Sequence, residues 1–174
     1  MDRAIIHHFS FFIITNKIIK NMIYTIDDFL DAEDLSKYKM YVSASGLSQN
    51  IRQDDGLTRE FWCKYGEKIN ASVPSSLYFS GLYPHVTITN SKKPVIRHLD
   101  NKVHDEKYKL LIYLNTIVKG GTVFFVDEKN TQQLVTNKEN RAVIFDMDLY
   151  HESQKFDVIG QEKKMAIGFR MTCN

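Results

Sequence analysis

His98-Leu99-Asp100, with His151 far downstream, is the set of residues in this chain best suited to chemistry. Two imidazoles and one carboxylate are the smallest protein set that holds a non-haem Fe(II) on one face. The other face then stays open for a cosubstrate and O2. Zinc-assisted hydrolysis is the other use of such a triad. The chain lacks the helical histidine pair around a Glu that marks zinc proteases. His98 and Asp100 are two apart, so on an extended strand both side chains share a face while Leu99 turns to apolar packing. Taken alone, the spacing also fits a surface histidine beside a solvated aspartate. Of the six histidines, His7 and His8 lie in the N-terminal segment, and His85 and His104 lie near expected loops without a comparable context.

The elements that must position this triad can be read from periodicity. Met22 to Phe29 reads as a first strand, rich in Ile and Tyr. Asp31 can cap a following helix, with Glu33 and Asp34 suited to its first turn and Leu35, Tyr38 and Val42 on one apolar face. Ser43 to Asp55 is polar, contains Gly46 and reads as a loop. Leu57 to Ile69 is a second helix. Beyond residue 77 the pattern becomes extended: Val86 to Thr89, Val95 to His98, Lys109 to Asn115, Thr122 to Val126, Leu134-Val135, Arg141 to Phe145 and Lys164 to Met171. Gly120-Gly121 marks a turn. Helices first, then many short strands, predict a mainly β domain: an antiparallel sandwich or barrel backed by N-terminal helices.

Composition narrows the function classes. A chain of 174 residues and 20.3 kDa, 43% hydrophobic and 25% charged, fits one soluble domain with a real core. A formal charge of +2 from scattered basic residues gives no electrostatic case for nucleic acid. Two cysteines, Cys63 and Cys173, make no disulfide framework, so a reducing, cytoplasmic setting is the expectation. The apolar run from Ala4 to Ile14 is too short to span a bilayer and lacks a basic lead and a cleavage site. Residues 1–21 read as an extension packed on the domain or flexible, and 22–174 as the domain itself.

The residues around the triad resemble those of the Fe(II)- and 2-oxoglutarate-dependent dioxygenases, in particular the prolyl 4-hydroxylase-like branch. The similarity runs through His98-Leu99-Asp100, Tyr113-Leu114-Asn115, Gly120-Gly121-Thr122-Val123-Phe124-Phe125, Ala142-Val143-Ile144-Phe145, His151 and a basic residue on the last strand. It spans about residues 22 to 171. The resemblance implies a double-stranded β-helix (a jelly roll, cupin-like) behind N-terminal helices. It implies that His98, Asp100 and His151 hold Fe(II), with 2-oxoglutarate and O2 as cosubstrates and ascorbate as an accessory reductant.

In that family the basic residue pairs with the far carboxylate of 2-oxoglutarate, and a dicarboxylate in an apolar barrel needs such a fixed cation. Lys163 and Lys164 compete for the part. Ala166 and Gly168 would share a face with Lys164 and leave room there, while Met165, Ile167 and Phe169 form the opposite apolar face, which favours Lys164. Tyr113 is expected to offer its hydroxyl to the same carboxylate. Thr89 stands near where many relatives carry an upstream tyrosine. Family members usually place the basic residue nearer the distal histidine, and they often carry an acidic residue after the Gly-Gly turn, which this chain lacks.

The resemblance implies hydroxylation of prolyl or other residues in a protein or peptide, coupled to decarboxylation of 2-oxoglutarate to succinate. Small-molecule hydroxylation is an alternative. A nucleic-acid demethylase is another, because Arg170 shares the face of Lys164. A catalytically silent β-sandwich used for binding is the reading from a different class. Substrate contacts are expected from Ser43 to Asp55, Tyr83 to Asn90, Asn101 to Lys107 and Asp127 to Thr131, with Arg97 facing away from the metal.

Overall fold

The computed structural model describes residues 22–45, 49–102, 104, 106–126, 131–154 and 163–173. The N-terminal extension (1–21) and most of the 127–131 loop lie outside the described residues. In chain order the elements are β1 (Ile23–Ile26), α1 (Ala32–Ala44), β2 (Gln49–Gln53), α2 (Asp55–Ala71), β3 (Phe79–Ser91), β4 (Tyr108–Tyr113), β5 (Thr122–Phe125), β6 (Gln132–Val135), β7 (Ala142–Asp146), β8 (Tyr150–Ser153) and β9 (Lys164–Cys173). They form a six-stranded sheet, β1-β7-β4-β9-β3-β2, and a three-stranded sheet, β6-β5-β8. Every pairing of strands is antiparallel. This is the double-stranded β-helix with its supporting helices.

Both helices begin where an aspartate can satisfy their free amide groups. The Asp31 side chain accepts from Asp34 N, and the Asp54 side chain accepts from Leu57 N. Their apolar stripes pack on one face of the large sheet. Tyr38 and Val42 from α1 join Leu57, Phe61, Tyr65 and Ile69 from α2. Against them stand Val86 and Ile88 of β3, Leu110 and Ile112 of β4, Ala142 and Ile144 of β7, and Ile167, Phe169 and Met171 of β9. The Phe61 and Phe169 rings stack at 4.1 Å between centroids.

The alternate residues of the same strands point the other way. Tyr113, Val143, Phe145 and Ala166 meet Phe124, Val135 and Leu149 in a second, smaller core between the sheets. Period-two alternation thus divides each central strand between helix packing and the space between the sheets. Gly121 sits where an added Cβ would lie 2.5 Å from the Val135 carbonyl oxygen. The Gly-Gly turn is therefore a close approach of two backbones.

Several expectations from sequence need correction. The segment from Ser43 to Asp55 is not a plain loop. It ends α1, contains β2 and begins α2. β2 was hidden because an edge strand that, among the described residues, pairs only with β3 does not need an apolar alternation. Tyr83 to Asn90 lies inside β3 rather than in a loop at the barrel mouth. Val95 to His98 forms no strand, and only an isolated bridge at His98 survives. The first strand stops at Ile26, and His151 lies within its own strand, β8.

Phe61→Ala should cost about 3–5 kcal/mol, because a buried ring is lost from both aromatic and aliphatic neighbours. Met40→Ala, on the exposed side of α1, should stay within about 0.5 kcal/mol. Urea unfolding of the two variants against the parent chain measures both. Equal effects would contradict the packing described.

Candidate metal centre and its cavity

His98 and His151 arrive from distant segments and are joined backbone to backbone. His98 N donates to His151 O, and His151 N donates to His98 O, each at 3.0 Å. Ser153 N to Val95 O, 2.9 Å, extends the contact. The two imidazole centroids are 4.4 Å apart. His98 Nδ1 lies 2.8 Å from Ile96 O, and His151 Nδ1 lies 3.0 Å from Leu149 O. Each Nδ1 can therefore donate to a carbonyl oxygen, which leaves each Nε2 as a lone-pair donor. Asp100 completes the group, and ligand atoms from all three residues lie within 4.8 Å of one another. Ligand atoms about 2.1 Å from one ion stand about 3 Å apart when the angle between them is near 90°, so the side chains would close in around a bound ion.

Electrostatics favour the ligating forms. Burial pushes the His151 imidazole down to about 4, against the opposing pull of Asp100, so the ring is neutral near pH 7. Its 3.7 Å approach to Asp100 Oδ2 is then no ion pair. Burial raises the Asp100 carboxyl, but Lys109 and the two histidines outweigh it and hold the group below its ordinary value. Asp100 Oδ2 is buried and has no hydrogen-bond partner. A buried carboxylate oxygen without a donor is costly, and a cation between Oδ2 and the two Nε2 atoms would satisfy it. The donor set fits a divalent transition metal and leaves ligand positions open.

A small cavity opens beside the triad, lined among others by Thr87, Thr89, Leu111, Thr122, Phe145 and Ser153. Lys164 and Ala166 of β9 also line it. Lys164 is buried, and among the described residues its Nζ reaches Gly121 O and Ser153 Oγ, both at a long 3.5 Å, with the Tyr113 ring centre 5.2 Å away. No carboxylate of the described residues pairs with it, although Glu152 lines the same cavity, and burial lowers its ammonium to about 8.

Lys163 is exposed and lies outside this cavity. Asn115 sets the difference between the two lysines. Its side chain donates to Lys163 O at 2.7 Å and accepts from Met165 N at 2.9 Å. That clamp holds the residue between them inward. The Tyr113 hydroxyl is committed to Thr122 Oγ1 at 2.6 Å, so Thr122 stands between Tyr113 and the cavity. Thr89 is on the cavity wall.

Arg97 turns away from the triad, as expected, and stacks on Phe125 and Tyr150 at 3.8 and 5.1 Å. Arg170 does not open onto the cavity; it pairs with Glu106 at 2.8 Å and donates to Asn101 O at 2.7 Å. Sequence reasoning missed Lys109, Thr87, Thr122 and Ser153 as cavity residues. Lys109 had a legible signal: it is a charged residue at the inward phase of an apolar strand, in step with Leu111 and Tyr113.

No protein-family model matches the sequence, and no curated protein is found similar to it. Solved structures do match the fold. A Pseudomonas putida prolyl-4-hydroxylase is 13% identical with a TM-score of 0.59, covering 86% of this chain and 92% of that one. A Trichoplax adhaerens prolyl hydroxylase, solved with a hypoxia inducible factor peptide fragment, is 16% identical with a TM-score of 0.61, covering 89% and 84%. SnoN, a non-haem α-ketoglutarate-dependent epimerase from nogalamycin biosynthesis, is 11% identical with a TM-score of 0.63, covering 88% and 78%. These likenesses show a shared fold, and the His98, Asp100 and His151 group stands within it.

Lys164 carries a prediction of its own. An unfolded lysine titrates near 10.5 and this one near 8 when folded, so between those values the unfolded chain binds more protons. Stability should rise with pH through that window, and below about pH 8 the full cost of the buried charge stands. Lys164→Met should therefore stabilise the protein at pH 7 by of order 1–3 kcal/mol, with a smaller gain at pH 9.5. Urea midpoints at the two pH values measure it. Destabilisation at pH 7 would mean that the ammonium is better partnered than its contacts indicate.

Proposed function

We propose that this chain is an Fe(II)- and 2-oxoglutarate-dependent hydroxylase acting on prolyl or other residues of a protein or peptide. One observation carries the reading: a facial set of two imidazoles and one unsatisfied carboxylate oxygen stands at a cavity that also holds a buried, poorly partnered ammonium. A metal site alone would not call for that ammonium. A dianionic cosubstrate that reaches from the metal to Lys164 would.

Bound iron would supply the redox step in which O2 and 2-oxoglutarate yield succinate and CO2 and one oxygen atom enters a substrate C–H bond. The protein's residues do the rest. His98 and His151 keep Nε2 available by committing Nδ1 to carbonyl oxygens. Lys164 would bind the far carboxylate with a charge-assisted hydrogen bond. The hydroxyls of Thr89, Thr122 and Ser153 line the same cavity and can serve its remaining lone pairs. Leu111, Phe145, Val95 and Ala166 exclude water and strengthen each of these interactions.

A peptide substrate is favoured by the likeness in fold. Two of the matched structures are prolyl hydroxylases. The demethylase reading loses its main support, because Arg170 is spent on Glu106 and Asn101. Free Cys63 and Cys173 suit a reducing compartment such as the cytoplasm.

Succinate release should require Fe(II) and 2-oxoglutarate and should rise with proline-containing peptides, which gain one oxygen by mass. Stimulation only by methylated nucleic acid, or only by a small metabolite, would overturn the peptide reading. Lys164→Ala should raise the KM for 2-oxoglutarate roughly 10–100-fold, the value of a lost charged hydrogen bond. Lys163→Ala should leave it nearly unchanged. In the parent chain, affinity for 2-oxoglutarate should fall as pH rises through about 8, because the free ammonium deprotonates there.

A further inference from the structure

Lys109 lines the same cavity, and the cosubstrate reading gives it no task. Its Nζ lies 2.8 Å from Asp100 Oδ1, with the two side chains only 7% and 12% exposed. The other oxygen, Oδ2, has no hydrogen-bond partner and faces His151 Nε2 at 3.7 Å. The two oxygens of one carboxylate are therefore unequal. One is held by an ammonium, and the other is free for a cation.

The sequence makes room for this contact. An added Cβ at Gly168 would stand 3.1 Å from Lys109 Cε and 3.5 Å from Thr87 Cβ. With Gly168 bare, the lysine stem crosses β9 and reaches Asp100. A second brace sits behind the ligand. Arg170 donates to Asn101 O, the carbonyl just after Asp100, and Glu106 holds Arg170 at 2.8 Å.

We propose that Lys109 is a positioning residue that occupies Asp100 Oδ1 and so restricts Asp100 to single-oxygen metal ligation. The proposal rests on the metal reading of the triad. A carboxylate can bind a divalent ion with one oxygen or with both. Three protein ligand atoms leave three positions of an octahedron. A chelating 2-oxo acid takes two and O2 needs the third. A carboxylate that swung to bind through both oxygens would take that third position. Lys109 would keep that position free through Asp100.

Co(II), whose visible absorption reports its coordination, is a suitable probe. Lys109→Met retains the stem and removes the ammonium. Gly168→Ala displaces the stem and keeps the charge. Thermal unfolding checks that each variant folds, and Gly168→Ala carries the test if Lys109→Met does not. Both variants should bind Co(II) at least as tightly as the parent, since an opposing cation has gone or moved. Both should show an altered visible spectrum on the Co(II) protein, and the difference should persist when 2-oxoglutarate is added, because the chelate takes the two positions that remain. Variants with the parent spectrum, with and without 2-oxoglutarate, would overturn the role. So would variants that lose Co(II) affinity with the spectrum unchanged, which would make Lys109 a stabilising partner only. A parent chain that binds no Co(II) would instead overturn the metal reading on which the role depends.

Discussion

The register of β9 is the constraint on which the rest of this molecule depends. One face of that strand must be apolar, because α1 and α2 bury Ile167, Phe169 and Met171. The other must be small and polar, because Lys164, Ala166, Gly168 and Arg170 face the space between the sheets. A slip by one residue would put Lys164 among the helix-packing rings and bring Met165 into the cavity. Two things prevent it. β9 pairs on both sides, with β3 and β4, and Asn115 binds the backbone on either side of Lys164. The Tyr-Leu-Asn run thus acts through Asn115 as a register lock for the strand that carries the buried ammonium.

The second constraint is charge in a dry space. Asp100 is matched by Lys109, and Arg170 by Glu106, so these pairs are close to neutral. Among the described residues Lys164 makes no ion pair, although Glu152 shares its cavity wall, and His151 is held neutral. A divalent ion would add positive charge to this space, and a dicarboxylate would offset it. Metal and dianion are therefore expected to favour each other's binding: the metal supplies charge that the dianion needs, and the dianion relieves Lys164. Buried charge without a partner is retained at a cost in stability, which is the usual trade at sites that bind charged ligands.

Much of this was legible in the sequence, and the failures have physical reasons. The helices were readable because Asp31 can cap the first and an apolar face repeats at Leu57, Phe61, Tyr65 and Ile69 in the second. The central strands were readable because two-sided burial forces near-continuous apolar runs such as Leu110 to Leu114. β2 was not, since pairing on one side at an edge is carried by backbone groups that no side-chain pattern records. Lys164 could be preferred over Lys163 from the small residues at Ala166 and Gly168. That Gly168 instead serves Lys109 could not be seen, because it depends on which strand lies alongside. The same holds for Tyr113, whose hydroxyl goes to Thr122 across a sheet-to-sheet contact between residues of opposite strands.

The bonds that bring the two histidines together also close an edge. β8 ends the small sheet, and an open strand edge invites pairing with another chain. Here the outer side of β8 is taken by the segment carrying Val95 and His98, through Ser153 N, His151 N and His98 N. The segment is too short and irregular to be a strand, yet its three bonds protect the edge and fix the separation of the imidazoles. Arg97 adds to the hold from the far side by stacking on Phe125 and Tyr150, residues of β5 and β8. His98 is thus fixed by main-chain bonds to His151 and by an aromatic anchor at its neighbour. Preorganisation of this kind would let a three-residue site bind an ion without ordering a loop at the moment of binding.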